Sequence, residues 1–179
     1  MTHPGAIAGR QHNPNRERFD FYPTDPRWGE ALLSRVGFHG VVTEPCAGDG
    51  VLVGLLESRG YEVEAFDIDP RDERVDTRDT FDVTEYQNVM TNAPFKGGFE
   101  MVKHWLKYTT EKVCLLTQYG FLESGHRAKW FKQDPPVLII MCPKRMKVGG
   151  KPSQFPHVWV VWDNSVDNMV THFDWATEL

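Results

Sequence analysis

The sequence predicts an α/β protein on a mixed sheet, with strands alternating with helices until a final antiparallel hairpin. Three observations carry that reading. Val41-Val42-Thr43-Glu44 runs into Pro45-Cys46-Ala47-Gly48-Asp49-Gly50 and then into the helix-like stretch Val51 to Ser58; this is a strand, a tight turn and a helix start. Tyr61, Val63 and Ala65 next alternate with acidic residues as far as Asp67, the period of a strand, so the first half contains a Rossmann-like βαβ unit. Two late apolar runs, Val137 to Cys142 and His157 to Trp162, flank a basic, glycine-containing loop from Pro143 to Pro156 and read as the hairpin.

The elements follow in order. Residues 1–18 carry Gly5, Pro14 and many polar side chains and read as a flexible arm; residues 19–179 read as a single domain. Tyr22-Pro23-Thr24-Asp25-Pro26 is a turn in which Thr24 or Asp25 caps a helix over Pro26–Val36, with Trp28, Leu32 and Leu33 facing inward. Past the βαβ unit, a polar stretch from Pro70 to Thr80 precedes Phe81-Asp82-Val83. Tyr86 to Thr91 then leads into Asn92-Ala93-Pro94-Phe95, and Gly97-Gly98 open a helix over Phe99–Tyr108. Lys112 to Gln118 is a further apolar run, and Ser124 to Lys132 a short helix.

A chain of 179 residues with 40% hydrophobic content and six tryptophans can bury a substantial core without metal or disulfide staples. No apolar run reaches the ~20 residues that cross a bilayer, and no signal-peptide pattern is present, so a cytoplasmic protein without membrane attachment is expected. Cys46, Cys114 and Cys142 lie in separate apolar segments and read as small buried residues. The seven histidines show no metal-ligand spacing, so no metal is expected, and His126 or His157 reads as a loop residue rather than a catalyst. Trp105, Trp130, Trp159 and Trp162 read as core. The net charge of −5 hides an asymmetry: residues 1–90 hold 9 basic and 17 acidic side chains, residues 91–151 hold 11 and 4, and residues 152–179 hold none and 4. Any contact with a polyanion should therefore come from residues 91–151.

The glycine turn is a ligand seat, because glycine lets backbone N–H groups approach a bound group and the helix start adds unpaired donors. The lack of G-x-G-x-x-G argues against a dinucleotide. An acid about 20 residues beyond such a turn suits the two hydroxyls of a ribose, which places Asp67 in the same site.

Joined to Asn92-Ala93-Pro94-Phe95, this order of pieces resembles the amino-group methyltransferases that use S-adenosylmethionine, particularly small phage and bacterial DNA N6-adenine methyltransferases. The resemblance covers about residues 19–163. It implies a class I methyltransferase sandwich in which Glu44, Pro45, Ala47, Gly48 and Gly50 form the cofactor loop. Asp67, with Ile68 beside it, would hold the ribose, Asp79 or Asp82 would lie near the adenine ring, and Tyr22, Pro23 and Thr24 would close over the methionine end. Asn92, Ala93, Pro94 and Phe95 would be the catalytic tetrapeptide, with Asn92 also bordering the cofactor. In the family, the Asn side-chain oxygen and the backbone carbonyl of the next residue accept the substrate's amino hydrogens while the aromatic stacks on the base. Ala93 departs from the family's proline; it keeps the carbonyl but not the restriction on φ.

The nucleic-acid partner is expected to be DNA rather than RNA, contacted through Lys96, Lys144, Arg145, Lys147 and Lys151. No separate target-recognition domain is expected. The alternatives are methylation of RNA or of a protein glutamine, which presents a similar planar amide, and a catalytically impaired binding module that keeps the cofactor pocket. The oligomeric state is not legible in the sequence.

Overall fold

A computed structural model describes residues 23–145, 147–148, 151–153, 155–167 and 170–179. The arm 1–18 and Tyr22 lie outside the described residues, as do the side chains of Lys147 and Lys151.

Of the two expected caps, Asp25 takes the role: its carboxylate accepts the Arg27 amide at 3.1 Å and starts α1 (Pro26–Leu33). Pro26 sits in the first turn, where a missing N–H costs nothing. The helix stops at Leu33 rather than Val36. Ser34 and Arg35 close it as a turn, and the Arg35 guanidinium is drawn to Asp174 and Glu178 near the other end of the chain.

β1 (Val41–Glu44), α2 (Val51–Ser58) and β2 (Glu62–Asp67) form the expected βαβ unit. The polar stretch beyond it contains a two-residue strand, β3 (Asp76–Thr77), and a 3-10 turn over Thr80–Asp82. Then come β4 (Asn88–Thr91), α3 (Gly98–Tyr108), β5 (Lys112–Gln118), α4 (Gly120–Glu123) and α5 (Gly125–Phe131). β6 (Leu138–Cys142) and β9 (His157–Asp163) bracket a small hairpin, β7 (Lys147–Val148) with β8 (Lys151–Pro152), where a plain loop was expected. A last strand, β10 (His172–Trp175), was not anticipated.

Eight strands share one sheet in the order β10-β6-β9-β5-β4-β1-β2-β3. β9 is antiparallel to both its neighbours and the remaining pairs are parallel. The late hairpin is therefore interior: β9 slots between β5 and β6, and β10 takes the edge beside β6.

Alternation along the strands sorts side chains onto two faces. Cys114 and Leu116 of β5 join Trp159 and Val161 of β9 under α1 and α2, whereas Val113 and Leu115 join Val158 and Val160 under α3. Trp105 and Trp159 are fully buried, one on each face. Truncating either to alanine would cost about 3–5 kcal/mol.

Candidate functional site

In a parallel sheet, ligands collect beyond the carboxyl ends of the strands, at the point where strand order reverses. Here the reversal lies between β1 and β4, which sit side by side although α2, β2 and β3 intervene in sequence. β1 ends in Glu44 and β4 in Thr91, so the glycine turn and Asn92-Ala93-Pro94-Phe95 leave the sheet next to each other. Asp67 ends β2, one strand further out. β6 also ends at this edge and antiparallel β9 begins there, so the basic hairpin rises from the same side.

The glycine turn is tightly determined. Gly48 and Gly50 have φ of 49° and 72°, a left-handed region that favours glycine, and a Cβ on Gly50 would stand 2.7 Å from the Asp72 carboxylate. Gly50 N–H donates to the Ala47 carbonyl at 2.7 Å, and Ala47 N–H to the Phe66 carbonyl at 3.1 Å. Asp67 ties the turn to β2: its Oδ2 accepts Gly48 N–H at 2.9 Å and its Oδ1 accepts Asp69 N–H at 2.8 Å. Each carboxylate oxygen has a second lone pair, so bracing the turn leaves acceptor capacity for a ligand.

Glu44 is 1% exposed. Its Oε1 accepts a long bond from Cys46 N–H at 3.4 Å, while Oε2 and the Thr91 hydroxyl lack partners of hydrogen-bond geometry among the described residues. Burial pushes its pKa up to about 8; the neighbouring Thr91 side chain and the Cys46 amide oppose this, and Asp67 and Asp49 add to it. A buried acceptor without a donor is costly unless protonated or met by a ligand.

Asn92 is half-buried and donates its side-chain amide to the Thr24 hydroxyl at 3.0 Å. This bond joins the segment ahead of α1 to the tetrapeptide. Ala93 is buried in the cluster containing Val102 and Trp105, Pro94 is half-buried, and Phe95 is 38% exposed. Exposed Lys96 follows, before Gly97 at φ 89° opens α3.

His157 opens β9, where the sequence places the start of the late strand, and is 2% exposed. Its ring lies 6.2 Å from that of Phe95 and 6.0 Å from that of Trp28. Its burial follows from the pairing of β9 with β5 and β6. His126 is exposed on α5, within the expected short helix.

The outer acids behave differently from each other. Asp79 caps the 3-10 turn, accepting Phe81 N–H at 3.0 Å, whereas Asp82 is exposed. Ile68 and Phe81 present apolar side chains to solvent near them, 55% and 46% exposed; no sequence pattern marks Phe81 for the site. Lys144 and Arg145 are exposed where β6 gives way to the hairpin. Pro23 is exposed, while Pro45, Ala47, Gly48 and Gly50 are buried. Among the described residues no group of three His, Cys, Asp or Glu is placed to hold a metal ion, and no helix is long and apolar enough to cross a membrane.

Neither a protein-family model nor a curated protein matches the sequence. Solved structures do match the fold. A protein from Listeria monocytogenes assigned to the class I S-adenosylmethionine-dependent methyltransferases superimposes with a TM-score of 0.58 at 14% identity, over 84% of this chain and 61% of that one. A protein from Vibrio vulnificus YJ016 assigned as the modification subunit of a type I restriction enzyme gives 0.59 at 10% identity, over 87% and 47%. A protein from Pyrococcus horikoshii assigned as an RNA methyltransferase gives 0.53 at 14% identity, over 81% and 82%. The chain spans less than two thirds of the length of the first two. At these identities the likeness is one of architecture, and the chain has the Rossmann-like fold of the class I S-adenosylmethionine-dependent methyltransferases.

Proposed function

We propose that the chain binds S-adenosylmethionine on the glycine turn and transfers its methyl group to an exocyclic amino group, that of N6 of adenine in DNA. One observation carries the reading: the Thr24–Asn92 hydrogen bond fixes an amide at the sheet's switch point, between the glycine turn and exposed Phe95.

The residues fit such a cofactor. Glu44 Oε2 is a buried acceptor that a cationic ammonium would satisfy, Asp67 keeps lone pairs for ribose hydroxyls, and Ile68 and Phe81 offer apolar surface for an adenine ring. When bound, the cofactor supplies an electrophilic methyl carbon on a positively charged sulfur. The chain's own task is alignment. With its Nδ2 committed to Thr24, Asn92 presents Oδ1 as an acceptor for one amino hydrogen, and the Ala93 carbonyl accepts the other. Two such bonds turn the nitrogen lone pair toward the methyl carbon and restrict the rotational freedom that slows a displacement in solution. No strong base is required. Phe95 offers a face on which a base extruded from its stack can rest.

DNA as the acceptor is supported by the basic balance of residues 91–151, by the Lys144–Arg145 hairpin rising from the same edge, and by the likeness to a restriction-enzyme modification subunit. RNA is the second reading, favoured by the likeness to a protein assigned as an RNA methyltransferase. Incubation with the cofactor and DNA, RNA or cell protein, followed by digestion and mass spectrometry, separates the readings. N6-methyladenine in DNA is expected. A methyl group found only in RNA or on glutamine, or nowhere, contradicts the proposal.

A further inference from the structure

We propose that His157 contacts the substrate, its ring giving a hydrogen bond to the base that rests against Phe95; the assignment rests on the methyl-transfer reading above.

His157 opens β9 opposite Gln118 of β5 and Cys142 of β6, at the edge where Glu44 and Asn92 leave the sheet. Its ring has two aromatic neighbours. Trp28 is 2% exposed; Phe95, tilted 47° to the imidazole, is the neighbour that reaches solvent. Nδ1 of His157 is buried and makes no bond of hydrogen-bond geometry among the described residues. An unpaired buried ring nitrogen weakens a fold. Phenylalanine would fill much of the same space and pack on the same two rings without that loss. Apart from the Phe155 carbonyl beside it, the ring has apolar neighbours, and a partner that arrives with the substrate would satisfy Nδ1.

The ring's charge state agrees. Burial pushes its pKa down to about 4, with Arg145 adding to the shift and the Phe155 carbonyl opposing it. Near neutral pH the ring is uncharged and carries one N–H, and that donor can meet an acceptor ring nitrogen of an adenine whose two amino hydrogens are taken by Asn92 and Ala93. A site that satisfies a buried polar group only when the right base is present also discriminates against bases that leave it unpaired.

The test compares the intact chain with His157→Phe and His157→Asn, using His157→Leu as a second apolar variant should the larger ring not fold. Four quantities are read: thermal midpoint, cofactor affinity by calorimetry, and kcat and KM for methyl incorporation into mixed-sequence DNA. His157→Phe or His157→Leu should match or exceed the thermal midpoint of the unaltered chain and bind the cofactor unchanged, yet show a KM for DNA raised about tenfold, the scale of one lost neutral hydrogen bond. His157→Asn should recover part of that loss. An apolar variant with unaltered KM and kcat, or His157→Asn no better than the apolar variants, overturns the assignment while leaving the methyl-transfer reading intact. If the unaltered chain methylates no nucleic acid, that reading fails and the assignment falls with it.

Discussion

The Asn92 side-chain amide donates to the Thr24 hydroxyl at 3.0 Å, although 68 residues separate the two. The bond fixes which end of the Asn92 amide faces a substrate, because Nδ2 is already committed. Thr24→Val should retain the fold and cofactor binding but slow methyl transfer by up to about tenfold, the weight of one neutral hydrogen bond. Thr24→Ser, which keeps the hydroxyl, should restore the rate. A Thr24→Val protein as fast as the unaltered chain would mean that the bond does not orient Asn92.

Asp67 has two tasks in this account, bracing Gly48 and accepting ribose hydroxyls. Asp67→Ala should therefore lower cofactor affinity by about 1.5–3 kcal/mol, the range for hydrogen bonds to a charged group, and also lower the thermal midpoint of the cofactor-free chain, since the Gly48 and Asp69 amides lose their acceptor. Calorimetry and a melting curve check the two separately. Unchanged affinity removes Asp67 from the cofactor site.

Glu44 and His157 shape stability against pH in opposite ways. Glu44 keeps its proton to about pH 8 when folded against an ordinary 4.5, so between these values the unfolded chain sheds a proton that the folded chain holds, and stability falls as pH rises. His157 stays neutral down to about pH 4 against 6.5; between those values the unfolded chain gains a proton that the folded chain refuses, and stability falls as pH drops. Above pH 6.5 only Glu44 contributes, lowering stability by ~2 kcal/mol between pH 6.5 and 8. Glu44→Gln should flatten that limb in melts of the cofactor-free chain. Parallel curves for the two proteins would show that Glu44 ionises normally.

Lys144 and Arg145 stand exposed where the basic hairpin leaves β6. If they meet phosphates, Lys144→Ala and Arg145→Ala should weaken DNA binding whatever the sequence, and each should reduce the slope of log K against log salt by about one. Titrations at several salt concentrations give the slope directly; an unaltered slope places the DNA elsewhere.

What was legible in the sequence is what short segments determine. Val41–Glu44 with its glycine turn, the alternation of Tyr61, Val63 and Ala65 into Asp67, and the amphipathic stretch before Tyr108 all express local geometry, and each forms the expected kind of element. What escaped depends on contacts between distant segments. β10 exists because His172–Trp175 finds a hydrogen-bonding edge on β6, while its Phe173 and Trp175 stay more than half exposed; no apolar pattern marks such a strand. Asp25 and Thr24 are equal candidates for the helix cap in the sequence; Asp25 takes the cap and Thr24 is held by Asn92, 68 residues away. His157 reads as the first residue of a late strand, but its burial beside Trp28 and Phe95 follows only because β9 enters between β5 and β6.

The central claim is that Asn92 aligns an amino group for methyl transfer without contributing much to cofactor binding. The most direct measurement supplies S-adenosylmethionine with a deuterated methyl group and DNA to the unaltered chain and to Asn92→Ala, with labelled N6-methyladenine followed by mass spectrometry and cofactor affinity measured alongside. The account predicts labelled N6-methyladenine from the unaltered chain, and from Asn92→Ala a rate lower by about a hundredfold, the scale of a lost positioned polar group, with cofactor affinity nearly unchanged. An Asn92→Ala protein that transfers the label at the full rate would contradict it.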